Sequence, residues 1–379
     1  MNAKFWLSRS AFATKPWRAS IATPNRCGSV RIPAGCVRHP PTSSTSATAP
    51  SAASERRNLI SDVDGIWVGN AEDARARSGV TVVLAEEPFV AAVDVRGGAP
   101  GTRETDLLAP TSLVQRVDAI VLSGGSAFGL EAASGVSSWL LAAGRGFPVG
   151  PVRVPIVSGA ILFDLLNGGD KAWGAEAPYR ALGLRACEAI SRDFAVGNTG
   201  AGLGAVAGEV KGGLGSASVT LPNGIVVGAL VAANAVGSPI IPGTRTLWAW
   251  AVEQDGEFGN QGPPRAMPDW TLPYGKQSPK PAANTTIGVV ATNATLTPAQ
   301  AQRVALMAHD GIARAVRPAH SPFDGDTLFA LATGRNPRLV EAAELSQIGD
   351  AAANCVERAI GRAVYSAEPL GDIPAFRTR

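Results

Sequence analysis

Apolar residues in this chain fall into short runs bounded by turn-forming residues, with helically spaced stretches between them. Val80–Ala85, Phe89–Val95, Ala119–Leu122, Gly224–Ala233, Thr286–Ala291 and Thr327–Thr333 have the pattern of strands. Several are continuously apolar, as expected of strands covered on both faces. Three helices are predicted among them. Ser126–Ala143 places Leu130, Ala133, Val136 and Leu140 on one side. Thr297-Pro298 is an N-cap followed by a proline in the first helical position. The helix it opens carries Val304, Ala308, Ile312 and Ala315 on one stripe and is expected to stop before Pro318. Asn336-Pro337 predicts the start of a long, Ala-rich helix through Ile348, Ala352, Cys355 and Ala359. Its Gly349 and Gly361 predict a close neighbour. Strands mixed with core helices predict a layered α/β sandwich.

Two segments break this pattern. Residues 1–57 are rich in Ser, Thr, Ala, Pro and Arg, and end in PTSSTSATAPSAASERR. No apolar period runs through them, so they are expected to be a disordered extension before a single domain at 58–379. Their Arg- and Ser-rich, acid-poor start resembles an organelle transit peptide; an added N-terminal extension is the other explanation. Residues 255–284 are a Pro-, Gly- and polar-rich loop, long for a compact domain, which ends where a strand begins at Thr285.

Charge and cysteine usage narrow the class. No acidic residue precedes Glu55, so the net charge of +3 is concentrated at the start and the body is close to neutral. A nucleic-acid partner is therefore not expected. The four cysteines form no C-x-x-C pair and there are three histidines, so neither a zinc site nor a disulfide framework is expected. This usage fits a reducing, cytoplasmic compartment. The longest apolar stretch, Ile225–Ile241, is interrupted by Asn234 and by glycines, and is too short for a bilayer. No membrane association, metal or organic cofactor is expected.

The candidate chemistry is hydrolytic. A Ser-His-Asp arrangement needs a histidine base. His39 lies in the extension and His309 on a predicted helix, which leaves His320, four residues before Asp324. Ser126 in SGGSAFG is the serine that would partner it, but the spacing is not that of a G-x-S-x-G elbow. A tight strand-to-helix turn accounts for those glycines. A different route needs no histidine. A Thr that is the first residue of its chain can use its own α-amine as base. At an unperturbed pKa of about 7.7–8.0, roughly a tenth of such amines are free at neutral pH, against well under a thousandth of lysines. Asn284-Thr285-Thr286 offers this: a Pro/Gly loop precedes it, and the Thr285 hydroxyl can attack the Asn284 carbonyl. Thr at a strand start is also ordinary, and spacing alone does not choose.

From Asn58 to about Tyr365 the chain resembles the P1, or S58, peptidases, which include L-aminopeptidase/D-esterases, β-aminopeptidases and nylon-oligomer (6-aminohexanoate oligomer) hydrolases. The blocks that carry the likeness are NLISDVDGIWVGNAED, LSGGSAFGLEAASGV, GAGLGAVAGEVKGGLGSAS, LVAANAVGSP, NTTIGVVATNATLT and FDGDTLFALATG. The resemblance implies a four-layer αββα sandwich and a homo-oligomer. It also implies autocleavage between Asn284 and Thr285 into associated pieces, 1–284 and 285–379. Thr285 is then the nucleophile, Asn234 the oxyanion donor, and Asp324 and Asp326 the pair that positions the nucleophile. The implied substrate is a small amide, a peptide or an ω-amino-acid oligomer. Two departures stand out. Glu209 occupies a position where many relatives have Lys, with Lys211 two residues on, and Phe128 replaces a Tyr of some relatives. Lys211 and Phe128 are the candidate substrate-pocket residues. A Ser126/His320 hydrolase and an inactive scaffold or binding protein of the same fold are the rivals. The Thr285 route predicts that His320→Ala leaves the chemistry in place.

Overall fold

The computed structural model describes residues 56–265 and 284–379; the expectations for residues 1–55 and for most of the long loop lie outside them. The first half contains strands β1 (Ile66–Asp73), β2 (Ser78–Val95), β3 (Thr102–Arg103) and β4 (Arg116–Ser123), then helix α1 (Ala132–Ala142). A hairpin follows, β5 (Phe147–Val149) and β6 (Val152–Val154), then β7 (Val157–Ile161) and α2 (Tyr179–Glu188). Two short strands, β8 (Val206–Ala207) and β9 (Val210–Lys211), precede β10 (Gly213–Thr220) and β11 (Val226–Ala233). The C-terminal part is β12 (Ile287–Thr295), α3 (Pro298–Ala315), β13 (Thr327–Leu339) and α4 (Ala342–Ser366).

Nine strands form one sheet in the order β10-β11-β12-β13-β2-β4-β7-β3, with β1 also on β2. Strand β2 is the seam. Its first half pairs with β1 and β4, and its second half pairs with β13. The pairing with β4 shifts register between Leu84 and Phe89. Two predicted strands, Val80–Ala85 and Phe89–Val95, are therefore one.

Period-two alternation then sorts side chains into three cores. Val227, Ala229, Val290, Leu328 and Ala330 pack with α3 and α4. Leu230, Ile287, Val289, Phe329 and Leu331 point the other way, to meet Val83, Ile120 and Leu122 across a middle core. Val80, Val82, Ala119 and Val121 face α1 and α2. The folded-over sheet thus gives the four layers of an αββα sandwich.

Other boundaries differ from the sequence pattern. Helix α3 starts as expected, with the Thr297 hydroxyl accepting from Gln300 N. Asn336-Pro337 does not open a helix, because β13 runs on to Leu339 and α4 starts after Glu341, which forms a capping box with Glu344. Residues 126–131 are a 3-10 turn before α1, entered through Gly125 at φ +85°. A Cβ at Gly125 would lie 2.0 Å from the Tyr179 ring, so those glycines serve a turn. No helix among the described residues is long and apolar enough to cross a membrane.

Candidate active site

Three strands converge at one end of the sheet. Ala232 on β11 pairs antiparallel with Ile287 on β12, so Asn234 and Thr285 fall opposite one another just beyond the ladder. There the Thr285 N–H donates to the Asn234 backbone carbonyl at 2.7 Å. On the other flank β13 runs parallel to β12, and the pairing extends back to a bridge between Asn284 and Asp324. Gly325 N–H donates to the Asn284 carbonyl at 3.1 Å, and the Thr285 hydroxyl contacts the same oxygen at short range. Thr285 is 2% exposed.

Both aspartates are buried, and their partners are the surroundings of Thr285. Asp326 Oδ1 accepts from Thr286 N at 2.7 Å, and its Oδ2 accepts from His320 N at 3.1 Å and faces His320 Nδ1 at 2.8 Å. Asp324 Oδ1 accepts from Val236 N at 3.1 Å; its Oδ2 accepts from the Ser321 backbone and hydroxyl. Burial, and then the charge of Asp326, push the Asp324 carboxyl above its ordinary range, while the Ser321 and Val236 donors pull it back. Asp324 thus ties the Asn234 loop to the 321–324 turn, and Asp326 ties that turn to the residue after Thr285. Residues 96–99, which follow β2, hold the same tripeptide through Arg96 N–H to Asp326 O and Ala99 N–H to Asp324 O. Gly325 must be glycine here: a Cβ would lie 2.6 Å from Thr285 Oγ1 and 2.7 Å from the Ala99 carbonyl.

The Asn234 side chain is fixed at both ends. Its Oδ1 accepts from Val206 N at 2.8 Å and its Nδ2 donates to Phe163 O at 3.0 Å. An amide nitrogen carries two hydrogens, and the Phe163 bond uses one. Lys211, on β9 beside the strand that supplies Val206, is fully buried and donates to the Gly202 and Gly212 carbonyls. Burial pushes its ammonium down to about 7, against the attraction of Asp164. Glu209 is outside and reaches Arg379 at 3.2 Å, so of the two the lysine is the interior group. Phe128 is half exposed and meets Trp173 edge-on at 5.7 Å.

Thr285, Asn234, Asp324 and Asp326 come together. Ser126 and His320 do not: no hydrogen bond joins them among the described residues, and the His320 ring is engaged by Asp326 and His309. The sequence analysis did not single out the Phe163 carbonyl, the Val206 and Gly325 N–H groups, or the 96–99 segment. These act through the backbone, which every residue type carries. A cavity of about 630 Å³ lined by Arg116, Asp118, Arg145 and Phe147 lies among none of these residues. Among the described residues no group of three or more His, Cys, Asp or Glu is placed to hold a metal.

The folded-over sheet with its flanking helices is the fold of the N-terminal-nucleophile hydrolases. The pattern of peptidase family S58 matches residues 58–374, and the chain belongs to that family. It is an amide-bond hydrolase. An uncharacterized aminopeptidase of Mycobacterium tuberculosis is 46% identical over 342 residues, covering 84% of this chain and 97% of that one. The 6-aminohexanoate-oligomer endohydrolase of Paenarthrobacter ureafaciens is 31% identical over 296 residues, 75% of this chain and 78% of its own. A Burkholderia sp. beta-aminopeptidase structure superposes with a TM-score of 0.62 at 27% identity, covering 82% of this chain and 87% of that one. The L-aminopeptidase D-Ala-esterase/amidase of Ochrobactrum anthropi, described as a variant of the Ntn hydrolase fold, shares the fold at a TM-score of 0.61 and 24% identity, covering 84% and 88%.

Proposed function

We propose that the chain cuts itself between Asn284 and Thr285 and then hydrolyses small amides or short peptides through an ester on Thr285. The observation that carries this is the placement of the Thr285 hydroxyl against the Asn284 carbonyl, whose oxygen takes the Gly325 N–H. That is a nucleophile beside an acyl group whose developing oxyanion already has a donor. Attack by Oγ1 forms an ester and breaks the Asn284–Thr285 C–N bond, with the hydroxyl proton passing to the departing nitrogen. Water then opens the ester, leaving an Asn284 carboxylate and an amine on Thr285. The burial of Thr285 supports this order, because no substrate reaches it in the continuous chain.

In turnover the new α-amine takes the hydroxyl proton as Thr285 attacks the substrate, and gives it to the leaving amine. The Asn234 carbonyl holds that amine where it now holds the Thr285 N–H. The second Asn234 amide hydrogen stabilises the substrate oxyanion; a donor in this role contributes about 3–4 kcal/mol in comparable sites. Asp324 and Asp326 hold the backbone on either side. Aminoacyl amides and ω-amino-acid oligomers are the candidate substrates, in keeping with the names of the relatives, and Phe128 with Trp173 forms a candidate pocket wall. Activity is expected to rise with pH through about 7–8, as the α-amine loses its proton.

A denaturing gel with N-terminal sequencing tests the cut. Two bands are expected, the smaller beginning Thr-Thr-Ile-Gly and of about 10 kDa by its share of the 38.8 kDa chain. Thr285→Ala is expected to give one band and no hydrolysis of aminoacyl p-nitroanilides. An active wild-type enzyme that stays in one piece overturns the proposal.

A further inference from the structure

We infer that His320 is a positioning residue: its Nδ1–H holds the Asp326 carboxylate on the Thr286 N–H and so fixes the nucleophile next to it. This rests on Thr285 being the nucleophile.

Two carboxylates two positions apart, each 1% exposed, repel one another. Each is held in place by donors. Asp324 has three, from Val236 and Ser321, within its own loops. Asp326 also has three, and two of them come from His320, through its backbone and its ring. The third is Thr286 N–H at 2.7 Å, which ties the Asp326 carboxylate to the residue after the nucleophile. Removing the imidazole donor therefore loosens the contact that sets the rotation of residues 285–286.

The ring is itself held. Its neighbour His309, fully buried on α3, meets it edge-on at 5.0 Å between centroids. His309 Nε2 lies 2.9 Å from the Asp94 carbonyl, and Asp94 pairs with Arg96. Burial pushes His309 down to about 4, so it is neutral at working pH and supports the His320 ring without adding charge. Among the described residues, the charged or titratable groups of this network are Asp326 and His309 against His320, with Asp324 beside Asp326 and Asp94 and Arg96 beside His309.

His320 has φ +54°, a conformation that His, Asn and Asp accept better than other side chains. That permits a sharp test. His320→Asn keeps the backbone and places an amide donor where Nδ1–H stands. His320→Asp keeps the backbone and the size, but faces Asp326 with a carboxylate. The Asn variant is expected to be cut and to turn over an aminoacyl p-nitroanilide at close to the wild-type kcat. The Asp variant is expected to lose roughly a hundredfold in kcat, with KM little changed, as for a misplaced nucleophile. Its acid limb is expected to move to higher pH, because a third carboxylate near Thr285 favours the protonated form of the new α-amine. Should the Asp variant not fold, His320→Gly, which accepts the same φ without a donor, is expected to show the same loss in kcat. Equal behaviour of the variants, whether all active or all impaired, overturns the inference while leaving the cut and Thr285 intact. A wild-type chain that is active but never cut overturns both.

Discussion

At Gly325 the hydrogen that stands in for a side chain is what lets the Asn284 carbonyl and the Thr285 hydroxyl occupy one small space. Gly325→Ala would press a methyl group against Thr285 Oγ1 and the Ala99 carbonyl. Because the carbonyl is backbone, the hydroxyl is the group that must move. The variant is expected to remain uncut for far longer than wild type, as seen in a time course on denaturing gels. Lys211 gives a second residue-scale expectation. Its folded pKa, about 7, lies below its ordinary 10.5. Between these values the unfolded chain binds the proton and the folded chain does not, so its contribution to stability grows as pH rises and is lost as pH falls through about 7. Urea unfolding at pH 7 and pH 9.5 is expected to show wild type gaining stability relative to Lys211→Met. His320 is the residue whose role changed most between sequence and structure. Weighed only as a rival base, it was expected to be dispensable; under the positioning role inferred above, His320→Ala is instead expected to lose kcat.

Elements were legible where the chain carried its own punctuation. Thr297-Pro298 marks the start of α3 because capping is a local interaction. Asn336-Pro337 carries the same punctuation but misleads: Asn336 pairs with Ala294 and Leu339 with Thr295, so tertiary pairing overrides the local signal. Strand β1, IWVGNAED, hides because only part of its length is covered. The site residues are separated by some fifty residues in one case and forty in the next, so spacing alone brings none of them together. The family resemblance did so, and the in-phase ends of β11, β12 and β13 explain why. At this scale the ion pair between Arg358 on α4 and Glu257, 2.6 Å apart and almost wholly buried, joins that helix to the first turn of the long loop. Glu257→Ala leaves a buried guanidinium without its carboxylate and is expected to cost about 3–5 kcal/mol, read as a lower urea midpoint.

Across the whole molecule, the segment after Thr285 supplies β12 and β13, the middle of the sheet, with β11 on one side and β2 on the other. The proposed cut therefore separates the chain without separating the layers. Both pieces are expected in one peak on native gel filtration, and the nicked protein is expected to unfold in a single transition.

That central placement has a consequence for the life of the protein. A strand pair wedged between two others is readily installed while it is still tethered to them, since closing the loop is an intramolecular event. Once the tether is gone, a denatured molecule must find its missing wedge by collision with another chain. Recovery after denaturant is removed should then fall with dilution for wild type, while Thr285→Ala regains its shape at any concentration.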